Sequence, residues 1–174
     1  WESVHVVDGS LMYALGQWYI FYRGNNGTIN QLGLATCPGG PGSTPTGPWT
    51  KYAGNPVYSP SDFLTGAVAY DPRNGLFFLW YANGAATAIV FATSPDGITW
   101  TGQGNRATAN CTGCTAQGIL GDAISAARYG GLWIIAGHCV TSFADGGRNA
   151  GYMTTTAETD TGKIFQRTSR PRPF

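Results

Sequence analysis

The chain has 174 residues, of which 26 are glycine, 13% are aromatic and only 11% are charged, against about 25% charged in an average soluble domain. A formal net charge of +1, with Lys51 and Lys163 the only lysines, argues against a nucleic-acid binder, which carries a basic excess, and against a coiled coil or helical bundle, which needs Glu, Lys, Leu and Ala in bulk. So many aromatics exclude a disordered chain, and no apolar run reaches the roughly 18–20 residues of a membrane span.

In chain order, a first strand is expected over about 5–14, followed by the turn Leu15-Gly16-Gln17 and the aromatic strand Trp18-Tyr19-Ile20-Phe21-Tyr22. A third strand runs through Gly33-Leu34-Ala35-Thr36-Cys37. The Pro/Gly-rich stretch 39–48 is a surface loop, and it leads to Trp49. The pattern then restarts. A strand over about 62–70 meets the turn Asp71-Pro72-Arg73-Asn74-Gly75, and Phe77-Phe78-Leu79-Trp80-Tyr81 follows. Ala92-Thr93-Ser94 leads into Asp96-Gly97-Ile98-Thr99-Trp100. A third round has a strand over about 119–128, the turn Tyr129-Gly130-Gly131, Leu132-Trp133-Ile134-Ile135-Ala136, then Met153-Thr154-Thr155 and Thr161-Gly162-Lys163-Ile164-Phe165.

The Ala-Thr step recurs after 57 residues (35 to 92) and, more loosely, after a further 61 (92 to 153). The strands are short, β-branched and aromatic, and no apolar period of 3.6 appears. Four strands per repeat of this size is the mark of a β-propeller blade. The predicted fold is therefore all-β: a propeller of four-stranded antiparallel blades over 1–169, with blades at about 4–60, 61–110 and 118–169, and a Pro/Arg-rich tail at 170–174. A β-sandwich of about twelve strands is the alternative, which the internal period disfavours.

Four cysteines (Cys37, Cys111, Cys114, Cys139) and two glycan-acceptor triplets, at Asn26 and Asn110, point to a secreted, extracellular glycoprotein with disulfides. Three pairings are open. A zinc site from Cys111, Cys114, Cys139 and His138 is the chemical alternative, but the disulfide reading is preferred. No metal and no cofactor is expected.

Ser94-Pro95-Asp96-Gly97-Ile98-Thr99-Trp100 resembles the Asp-box turn of sialidase-like propellers, one residue short. The segment 75–100, together with Gly33-Leu34-Ala35-Thr36-Cys37 and Gly54-Asn55-Pro56-Val57, resembles blades of the five-bladed glycosidase superfamily of arabinanases, β-xylosidases, invertases and levansucrases. The resemblance implies a carbohydrate partner and cleavage by carboxylates on the innermost strands. Asp8, Asp62 and Asp122 stand at those strands and are the candidate catalytic residues. One would act as base or nucleophile and another as a positioning acid, within the roughly 5–9.5 Å that retaining and inverting hydrolysis use. In the blade alignment Asp62 falls level with His5, which joins Arg23, Tyr58 and Arg128 as the candidate substrate-binding residues. The superfamily's acid is usually an inner-strand glutamate, and none stands there in this sequence. Asp71 and Asp96 are expected to build turns. The competing reading is a non-catalytic propeller module that binds glycans or proteins in an extracellular assembly. Propellers close with about four to eight blades, so further blades from the same polypeptide, or a second copy, are expected partners. Neither nucleic acid nor membrane is.

Overall fold

A computed structural model of the chain describes residues 1–85, 88–108, 124–129, 132–140, 148–155 and 165–166, with 106–108, 129, 132, 136–140, 148–155 and 165–166 described as backbone alone. All regular structure among them is strand. The first sheet holds β1 (His5–Ala14), β2 (Gln17–Asn25), β3 (Asn30–Pro38) and β4 (Thr50–Lys51). The second holds β5 (Phe63–Asp71), β6 (Leu76–Asn83), β7 (Ala88–Ser94) and β8 (Thr101–Thr108). The third holds β9 (Ile124–Tyr129), β10 (Leu132–Val140), β11 (Arg148–Thr155) and β12 (Phe165–Gln166). Each sheet is four-stranded, antiparallel and ordered as the chain runs. These are three propeller blades, and a sandwich topology is excluded.

The hairpins follow from their turn residues. Ala14 pairs with Gln17, so Leu15 and Gly16 form a two-residue loop with φ of 47° and 85°. Both positive values match a primed turn, whose twist fits the flanking strands. At the next hairpin Asn26 Oδ1 accepts the backbone N–H of Thr28 at 3.0 Å and of Ile29 at 3.1 Å. It is the self-capping use of Asn that turns favour.

The blades stack face to face, which explains the unbroken apolar run of β6. Side chains alternate across a strand. Phe77, Leu79 and Tyr81 join Tyr19, Phe21, Leu32 and Leu34 in the seam between the first and second blades. Phe78, Trp80 and Ala82 join Ile89, Phe91, Trp133 and Ile135 in the seam between the second and third. Both faces of β6 are thus interior, and no polar alternation is needed. The strand on which the first blade opens is different: Val6, Val7 and Leu11 on it, and Val4 just before it, are exposed large apolar side chains.

Trp100 packs between the first and second blades. Its ring meets Phe21 edge-on at 5.9 Å and Tyr58 at 6.2 Å. Gly97 has φ of 76°, and a Cβ there would lie 2.9 Å from Phe21. Left-handed backbone and a close approach both require glycine at this point.

Candidate functional site at the axial strands

The innermost strands β1 and β5 lie side by side with parallel sense. Thr65 of β5 donates its Oγ1 hydrogen to Asp8 Oδ2 at 2.9 Å, and Val68 N–H donates to Ser10 Oγ at 3.1 Å. Thr65 and Asp8 are 57 residues apart, the same interval as the repeat.

Asp8 sits in a β-bulge. The pairing of β1 with β2 slips between Val7 and Ser10, and Asp8 takes φ of 55°. A left-handed conformation costs an L-residue roughly 1–2 kcal/mol, and Asp is among the few that tolerate it. The bulge re-aims the side chain toward the second blade, a common role for bulges near functional sites. There Arg23 Nε approaches Asp8 Oδ2 at 2.9 Å, with the Arg23 side chain 14% and the Asp8 side chain 23% exposed. The Nε–H is not aligned on that oxygen, so the contact is an ion pair and not a hydrogen bond. Arg23 Nη1 instead donates to the Leu64 carbonyl at 2.8 Å, across the blade boundary.

Asp62 lies one residue ahead of β5 and is exposed. Tyr81 donates its hydroxyl hydrogen to Asp62 Oδ1 at 3.5 Å. Burial raises the Tyr81 phenol well above its ordinary value, and its hydrogen-bonded neighbours Tyr58 and Asp62 add to that. The phenol therefore stays protonated and acts as a donor. The Tyr58 ring meets that of Tyr81 edge-on at 6.0 Å, and Leu32 N–H donates to the Tyr58 carbonyl at 2.9 Å.

The other candidates fall into place around this centre. His5 opens β1, paired with Asn25 and exposed. Arg23 was expected to offer donors to a sugar, but its guanidinium is turned inward onto Asp8 and Leu64. Tyr58, a candidate substrate-binding residue, is half-buried against Tyr81 and Trp100. Arg128 is exposed on β9, paired with Trp133. Asp122 and Asn110 lie outside the described residues. Asn26 is exposed at its hairpin. Cys37 is a free thiol, fully buried; its Sγ–H reaches the Pro38 carbonyl at 3.4 Å. The disulfide expected of Cys37 is therefore not formed in this structure. Cys111 and Cys114 lie outside the described residues, and Cys139 is described only as backbone on β10.

The two turn-building acids behave as expected. Asp96 Oδ1 accepts the N–H of Ile98 at 2.8 Å and of Thr99 at 2.7 Å. Asp71 is fully buried and receives Arg73 through Nε and Nη2, each at 3.1 Å, and Asn74 Nδ2 at 2.8 Å. Burial works to raise the Asp71 carboxyl, but the Arg73 and Asn74 bonds outweigh it and hold it below the usual carboxylate range. The same balance lowers Asp96, with the Thr99 and Ile98 amides dominant against burial.

Thr65 and Ser10 are the site residues that sequence reading missed. Their hydroxyls matter only because the two strands adjoin. The signal was available in the repeat, since the interval of 57 carries position 8 onto position 65.

No protein-family model matches the sequence, and no curated protein is similar to it. Solved structures share its fold. A thermostable family-43 glycoside hydrolase superposes with a TM-score of 0.72 at 14% identity, over 99% of this chain and 56% of that one. The endo-arabinase from Bacteroides thetaiotaomicron VPI-5482 gives 0.65 at 15% identity, over 92% and 59%. Sucrose-6-phosphate hydrolase from Lactobacillus gasseri gives 0.69 at 12%, over 95% and 35%. The chain spans between 35% and 59% of the length of these three structures. The shared architecture is the β-propeller of four-stranded antiparallel blades.

Proposed function

We propose that this chain is the blade-bearing part of an extracellular carbohydrate-active propeller, which hydrolyses a glycosidic bond with axial carboxylates. The single observation that carries the reading is Asp8. It stands on an innermost strand, in a left-handed bulge, with one oxygen held by neighbours on two blades. Such strain is a mark of functional positions, and the fold is one that hosts glycosidases. Asp62, one blade on, is the second carboxylate, and Asp122 would supply the third. Two glycan-acceptor triplets support the extracellular setting.

The test uses the full-length protein against 4-nitrophenyl α-L-arabinofuranoside, 4-nitrophenyl β-D-xyloside, sucrose and fructan. Asp8→Asn is expected to lower kcat about 10²–10⁴-fold, the usual contribution of a positioned carboxylate. Retention of full activity by Asp8→Asn would remove Asp8 from the reaction. The second reading, a non-catalytic binding module, is favoured by the absence of a glutamate on the described innermost strands. It predicts sugar binding by calorimetry with no turnover in any of these assays.

A further inference from the structure

Resting on the reading of Asp8 as the reacting carboxylate, we infer that Arg23 and Thr65 are its positioning residues, a clamp reaching from two blades that reserves one of its two oxygens for substrate. Arg23 belongs to β2 of the first blade and Thr65 to β5 of the second. Both meet the same oxygen, Oδ2, at 2.9 Å. A carboxylate offers two oxygens with about four lone-pair sites. With Oδ2 engaged twice, Oδ1 is the oxygen left for a sugar hydroxyl, a water or an anomeric carbon.

Three features give the clamp its stiffness. Thr65 is fully buried, and a β-branched side chain has few rotamers to wander among. Arg23 is anchored at its far end by the Leu64 carbonyl, the residue next to Thr65, so both arms share one piece of backbone. Ser10, two residues past Asp8, receives Val68 N–H and fixes the bulge on its other side. Holding a reacting group in one geometry is where much of catalysis originates, and a displacement of about 1 Å can cost about 10²-fold in rate. The same contacts set Arg23 apart from a sugar ligand, since its charged end faces the protein.

The experiment takes full-length wild type, Arg23→Gln, Thr65→Val, Thr65→Ser, Asp8→Asn and the double variant Asp8→Asn/Arg23→Gln. Two readouts are made on each: kcat and KM with the aryl glycosides above, and the ¹³Cγ resonance of Asp8 in carboxyl-labelled protein at one fixed pH. Arg23→Gln and Thr65→Val are expected to lower kcat about 10²-fold with KM within two-fold, Thr65→Ser to restore it, and Asp8→Asn to mask the loss from Arg23→Gln. The Asp8 resonance is expected to move in Arg23→Gln and Thr65→Val and to return in Thr65→Ser. A raised KM at unchanged kcat in Arg23→Gln, or a loss that adds fully to that of Asp8→Asn, makes Arg23 a sugar ligand and overturns the clamp. An unmoved resonance overturns it too. If the resonance moves as expected but wild type cleaves none of the glycosides, the clamp stands and the hydrolase reading falls.

Discussion

Asp71 and Asp8 show two uses of a scarce resource, since the whole chain has nine acidic residues. Asp71 is fully buried, and among the described residues the bonds it receives come from its own turn. Asp8 is partly exposed and bonded to other strands. Because the folded-state Asp71 carboxyl titrates below its ordinary value, its contribution is fully present above the ordinary carboxylate value of about 4. It is lost as pH falls from there through the lowered value. Asp71→Asn is therefore expected to reduce stability by about 1–3 kcal/mol at pH 7, the range for a buried bond lost beside a retained partner. The deficit should shrink toward pH 3, as measured by urea midpoints across that range. The role of Asp71 was legible from Asp-Pro followed by Asn-Gly. The surroundings of Asp8 were not: a left-handed bulge at Asp8 has no local sequence code, and its partners come from 15 and 57 positions away.

Elements in this chain borrow side chains where backbone pairing runs out. Strand β4 has only two residues, so β3 lacks a full neighbour at Leu34. Asn55 substitutes for one. Its Oδ1 accepts Leu34 N–H at 2.9 Å, and its Nδ2 donates to the Leu34 carbonyl at 2.9 Å and to Tyr22 Oη at 3.3 Å. One amide side chain thus completes one rung of the ladder. Asn55→Ala would strand the N–H of Leu34, itself buried, while the Leu34 carbonyl keeps the Tyr52 N–H at 2.9 Å, and is expected to cost about 1–3 kcal/mol for the one group left unpaired. Asn55→Asp, which keeps the acceptor and loses the donor, should cost less, and denaturant midpoints of the two variants check the order. The strands themselves could be read from the sequence, because aromatic runs between Gly and Asp turns have few other readings. The partial burial of Tyr58 could not be read, because it depends on Trp100 and Tyr81 of the next blade, which no local pattern encodes.

At the scale of the whole molecule, the two seams make the second blade a shared wall. Phe21 belongs to one seam and Phe91 to the other. Each replaced by Ala should cost about 3–5 kcal/mol. The sum should hold within about 0.5 kcal/mol in the double variant, as for sites without common partners. A large positive or negative coupling would show that the sheet of the second blade transmits strain between its faces. The repeat interval of 57 predicted this stacking, because a four-stranded unit cannot cover both its faces alone. What it left open was which residues would meet along the axis.

The seam between the second and third blades also has an optical consequence. Trp80 and Trp133 stand with ring centroids 5.1 Å apart and planes inclined at 49°. Two indoles so close and so tilted share their electronic excitation, and a fixed chiral angle between coupled transitions splits the circular dichroism band into a couplet. The couplet belongs to the contact and not to either ring, so it vanishes when the third blade leaves the second even if every strand survives. The molecule thus carries its own spectroscopic gauge of whether these two blades are joined.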